Sequence, residues 1–80
     1  MDPNDLEELV KASPFVPFRL YMTDGRTLDV HHPEFVQIGK RGNAVIFERD
    51  DPASSRFDRY VHVAILHIAR AEPLETASPH

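Results

Sequence analysis

The spacing of hydrophobic positions changes character along the chain. Near the start, Leu6, Leu9 and Val10 recur at helical intervals. Asp2-Pro3 stands just ahead of them; aspartate caps free backbone N–H groups, and proline suits the first helical position. Asp5, Glu7 and Glu8 set negative charge near the positive end of the helix dipole. Ser13-Pro14 ends the run. The pattern predicts an amphipathic helix over residues 3–12, too short to persist unless it packs on something.

From Pro17 the period becomes two. Phe18, Leu20 and Met22 fall on one side, Arg19, Tyr21 and Thr23 on the other. Asp24-Gly25 predicts a hairpin, since both residues tolerate positive φ. Leu28 and Val30 then point inward. Pro33 has no N–H and must break the ladder or lie at an edge, after which Phe35-Val36-Gln37-Ile38 resumes the strand. Gly39 to Asn43 forms a second turn, and Ala44 to Phe47 a third strand. Beyond the polar loop Asp50–Ser55, Phe57, Val61, Val63 and Ile65 share one face, opposite Asp58, Tyr60 and His62. Two large apolar residues meet at Ile65-Leu66, so the alternation changes phase; Leu66 and Ile68 carry it onward. Such a slip predicts a bulge or a sharp bend. The expected architecture is mainly β: an N-terminal helix and a five-stranded, strongly bent antiparallel small barrel, which would leave few open edges. Residues 1–72 form the single domain, and residues 73–80 have the composition of a loose tail.

Composition narrows the picture. Eighty residues support one thin core, and self-association is a natural supplement at this size. With no cysteine, disulfides and thiolate metal sites are ruled out. The net charge of −4 disfavours strong non-specific binding to nucleic acid but leaves room for a local basic patch. The opening MDPNDLEELV is acidic, so no signal peptide is expected, and no apolar run approaches membrane-spanning length. The expected setting is the cytoplasm, without membrane contact.

The stretch Leu20-Tyr21-Met22-Thr23-Asp24-Gly25-Arg26-Thr27-Leu28 resembles the first signature of the Sm-like family, an apolar strand leading to Asp/Asn-Gly, Arg and an alternating Leu. Asn43-Ala44-Val45-Ile46 is similar to the end of that signature, and His62-Val63-Ala64-Ile65-Leu66-His67-Ile68 to the second. Together the likeness covers roughly residues 3–71. Val30 stands where the family usually has Gly, and His62-Val63 where it usually has Arg-Gly. The resemblance implies a helix-plus-five-strand barrel that assembles into rings by strand pairing and holds RNA on a ring face, with Asn43 and His62 at positions that contact it. The segment from Pro17 to Phe35 also looks like that of short bacterial proteins, a likeness that brings no functional expectation.

Several residues carry candidate chemistry. Lys40-Arg41 is the only adjacent pair of cations and is flanked by glycines; it suits a phosphate or an acidic partner, while the ordinary reading is a solvated hairpin tip. The expected nucleic-acid contacts are Lys40, Arg41, Asn43 and His62. His31-His32-Pro33-Glu34 raises the question of metal, but adjacent strand residues point to opposite faces and zinc needs three or four ligands. The ordinary reading is a bend with polar decoration, with no metal or other cofactor. Ser13, Ser54, Ser55 and Ser78 sit in loops or the tail without a partnering base, so no enzyme is expected. Phe18, Phe35, Phe47 and Phe57 read as core or subunit contacts, whereas Tyr21 and Tyr60 point outward and suit stacking or a cross-strand pair. Two functional expectations stand side by side: a homo-oligomeric RNA-binding module, or a protein-interaction module of SH3 or Sm type. A metal site on His31, His32, Glu34 and His62 is the third.

Overall fold

The architecture was established from a computed structural model, which describes residues 1–51 and 53–74. Helix α1 (Pro3–Lys11) begins as the sequence predicts. The Asp2 carboxylate accepts from the Asn4 N–H at 3.0 Å, while Asp5 Oδ2 accepts from the Asp2 N–H at 3.2 Å, a reciprocal cap. Leu6 is completely buried, worth roughly 1.5–3 kcal/mol in transfer terms. Leu9 and Val10 pack at the core's margin.

Among the described residues six strands follow, arranged as two three-stranded antiparallel sheets. The first has the order β2 (Thr27–Val30), β1 (Phe18–Met22), β6 (Ile68–Pro73). The second has the order β3 (Val36–Ile38), β4 (Asn43–Glu48), β5 (Arg59–Ala64). Among the described residues no strand ladder joins the two sheets, so the barrel is not closed. The expected five-stranded barrel is therefore incorrect, and the reason lies at two breaks in the chain.

The first break is at Pro33. The strand expected to resume through Phe35 instead makes a 3₁₀ turn over Pro33–Phe35, with the Phe35 N–H donating to the His32 carbonyl at 3.1 Å. The chain leaves sheet one at Val30 and enters sheet two at Val36, so one expected strand becomes two. The second break is at Ile65–His67, another 3₁₀ turn. Its position was expected, but its form was not: Ile65 and Ile68 are buried, three residues apart, while Leu66 between them is 71% exposed. A bulge would have kept Leu66 in the new inward phase. Strand β6 then extends through Pro73, which pairs with Phe18, so the tail expected from residue 73 starts no earlier than Leu74; residues 75–80 lie outside the described residues.

Within the strands the alternation holds. Phe18, Leu20 and Met22 face inward, as do Leu28 and Val30 across β2. Ala44, Ile46 and Val63 supply the inner face of sheet two. These residues join Leu6, Ile65 and Ile68 in one core cluster shared by both sheets and the helix. The first hairpin differs in detail from the two-residue turn that Asp24-Gly25 suggests. Its loop is Thr23-Asp24-Gly25, the Met22 N–H donates to the Arg26 carbonyl at 2.8 Å, and only Gly25 has positive φ, at 94°. Asp24 contributes through its side chain, accepting from the Arg26 N–H at 3.0 Å.

The outer face of sheet one is a ladder of charges. Arg19 and Asp29, directly paired across β1 and β2, form a two-pronged ion pair at 2.6 and 3.1 Å. The Arg70 guanidinium lies 3.8 Å from the centre of the Tyr21 ring and pairs with Glu72 at 2.8 Å. No helix among the described residues is long and apolar enough to cross a membrane.

Candidate functional site

The outer face of sheet two differs in kind from that of sheet one. Alternation turns Ala44 and Ile46 inward, so Asn43, Val45 and Phe47 face out from β4. Their cross-strand partners on β5 are Ala64, His62 and Tyr60. Tyr60 is 62% exposed. The rings continue in a train beyond this face. His62 meets Tyr60 at 5.4 Å between centroids, Tyr60 meets Phe47 at 6.2 Å, and Phe47 meets Phe57 at 5.2 Å. Phe57 in turn meets Phe35 at 4.9 Å, edge to face, and Phe35 meets His32 at 4.9 Å. Each separation lies within the range in which ring quadrupoles attract. Phe57, expected in the core or at a subunit contact, is 42% exposed in the single chain; it precedes β5 and packs against the rings of Phe35 and Phe47. Phe35 and Phe18 are buried as expected.

The residues expected to contact nucleic acid fall at one end of this face. Lys40 and Arg41 are exposed at the tip of the β3–β4 turn, where Gly42 takes φ 78°. Backbone bonds fix the base of the turn: Gly39 N–H to the Asn43 carbonyl at 2.7 Å, and Ile65 N–H to the Gly42 carbonyl at 2.8 Å. Asn43 opens β4 and shares the outward face with His62. Cations at the tip, Asn43 and His62 along the strands, and Tyr60 and Phe47 beyond them thus form a track that runs from the turn along β4 and β5. Beside those four expected contacts, the sequence signalled the outward phase of Tyr60. The cross-strand register that sets Phe47 opposite Tyr60 was not readable from it.

Past Phe47 the track opens into a cleft of about 550 Å³ between the end of β2 and the β4–β5 junction. Phe35 and Phe47 line it, with His31 and His32 beside them. Both histidines are exposed and reach the same cleft, because the chain has already left the strand at Val30. The expectation that they would point to opposite faces does not hold. Three carboxylates also line the cleft, each already engaged. Asp29 is held by Arg19, whose hydrogen bonds keep its carboxyl below the usual aspartate range. Asp50 and Glu48 both bind Arg59, at 3.0 and 2.9 Å, and together they hold that guanidinium above its ordinary value. Arg49 is different. Its guanidinium lies 4.9 Å from the Phe35 ring centre and donates to the Ser54 carbonyl, and among the described residues no carboxylate comes within ion-pair distance of it.

His62 and His67 share a second, smaller hollow of about 390 Å³ with Asp24 and Arg26. Among the described residues no three His, Asp or Glu side chains gather as a metal site. No family model matches the chain, and neither a curated protein nor a solved structure matches it.

Proposed function

We propose that this chain is a small binding module, not an enzyme, which works in the cytoplasm as a homo-oligomer and takes single-stranded RNA along the outer face of sheet two. The observation that carries the reading is the track itself: exposed cations at Lys40 and Arg41, then Asn43 and His62, then the neighbouring, mutually tilted rings of Tyr60 and Phe47. Single-stranded nucleic acid is held by this combination of cations for the backbone and aromatic faces for the bases. The overall negative charge does not oppose it, because attraction depends on the local patch. Self-association is supported by open strand edges: among the described residues β5 pairs only with β4, and β6 only with β1.

Titration with a short unstructured RNA over a salt series tests the reading. Binding should weaken steadily with salt, and Tyr60→Ala should cost about 1–3 kcal/mol of affinity, the worth of one stacked base. Light scattering should give a mass above one chain. Salt-insensitive binding, or a Tyr60→Ala protein that binds as wild type does, would remove the RNA reading and favour a protein partner at the same face.

A further inference from the structure

We propose that the cleft beside Phe47 is a separate subsite for one nucleoside monophosphate unit, with the ring against Phe47 and the phosphate on Arg49, His31 and His32. The inference rests on the nucleic-acid reading of the outer face, since the two share the Phe47 wall. It goes further, because it assigns a pocket and a ligand chemistry to residues that the track does not use.

Three observations lead to it. The first is size: about 550 Å³ falls among ordinary small-ligand pockets, which span roughly 300–1,000 Å³. The second is shape. Phe47 is half-buried and lines the cleft, with Phe57 packed against it at 5.2 Å, so a planar ring has an aromatic surface to lie on. The third is charge already in use. Asp29 is paired with Arg19, and Glu48 and Asp50 share the single charge of Arg59, so all three carboxylates have a cationic partner although one net negative charge is left over. What stays uncommitted among the described lining residues is cationic or hydrogen-bonding: Arg49 and two exposed imidazoles. Arg49 is also held in place, by the Phe35 ring and by the Ser54 carbonyl, which leaves its other N–H groups to donate. A fixed guanidinium beside an aromatic wall selects a ligand with both a ring and an anion. A nucleotide has both. It would come either as a free mononucleotide or as one unit of a bound strand.

The test is an NMR titration of the whole chain with adenosine 5′-monophosphate, adenosine and inorganic phosphate, each alone. The monophosphate should shift the signals of Phe35, Phe47, Arg49 and His32, and bind about tenfold or more tightly than adenosine, the effect of a hydrogen bond to a charged group. Arg49→Gln should remove that preference while leaving adenosine binding in place, and Arg49→Lys should restore part of it. The wild-type amide pattern in both variants would show that the fold is kept. Equal affinity for adenosine and its monophosphate overturns the proposal, as do shifts confined to Tyr60 and His62. A parallel titration with the short RNA separates the two readings. Strand binding without monophosphate shifts in the cleft sinks the subsite alone. Cleft binding of the monophosphate without strand binding sinks the outer-face reading and leaves a free-nucleotide site.

Discussion

Asp29 shows how much a single side chain can be asked to report. Its carboxylate accepts twice from Arg19, and the hydrogen bonds set its folded-state titration below the ordinary aspartate value near 4. A folded pKa that is lowered means that the folded state binds fewer protons through that range. The stabilisation is therefore fully present above about pH 4 and is lost as the pH falls through the depressed value. Asp29→Asn should lower the urea midpoint at pH 7, and the gap from wild type should close as the pH is taken towards 2. A gap that stayed constant with pH would mean that the pair contributes nothing. Because both side chains are more than a third exposed, at 41% and 34%, salt should narrow the gap as well. At this scale the sequence was readable where local chemistry decides the outcome: Asp2 as a cap and Gly25 with positive φ both follow from side-chain type. Phe57 was not, because its surroundings are rings contributed by Phe35 and Phe47 from other parts of the chain.

Among the elements, the two 3₁₀ turns decide the architecture. Alternation told where each strand would fail, at Pro33 and at Ile65-Leu66, since a missing N–H and a doubled apolar pair both disrupt a two-residue repeat. It did not tell what replaces the strand. A three-residue turn preserves the inward direction of Ile65 and Ile68 and expels Leu66 and His67 between them, whereas a bulge would turn Leu66 inward. That distinction depends on contacts between elements, such as the Thr23 N–H donating to the His67 carbonyl at 2.8 Å. It also makes neighbouring residues unequal. Ile65→Ala, at a site with no exposure, should cost about 2–5 kcal/mol, while Leu66→Ala should stay within about 0.5 kcal/mol. Chemical denaturation of both variants checks it; equal losses would place Leu66 in the core after all. Lys40, Arg41, Asn43 and His62 were assembled from a turn and a resemblance, and strand pairing puts Asn43 and His62 on one face with the cations at its end. The cleft was invisible for the opposite reason: it joins the end of β2 to the β4–β5 junction, and no local pattern links them.

For the whole molecule, the order of strands in the two sheets is the governing fact. Sheet two is a plain meander of consecutive strands, enclosed between the β1–β2 hairpin and β6 of sheet one. Among the described residues the only pairing of distant strands is β1 with β6, which ties Phe18 to Pro73. A division in the loop between β4 and β5, at Ser54-Ser55, would leave β1–β4 on one piece and β5–β6 on the other. The first piece would then lack one strand of each sheet and the second piece two, and every missing strand is on the other piece. The two fragments are thus natural complements: produced together, the untagged one should co-purify with its tagged counterpart and regain the melting transition, and produced singly neither should show one. Fragments that ignored each other would mean that the two ladders β4–β5 and β1–β6 are too weak to unite a severed chain. If they do unite, the protein comes with a ready-made pair of self-assembling halves, whose reunion rebuilds the aromatic track from Phe47 on one half and Tyr60 on the other.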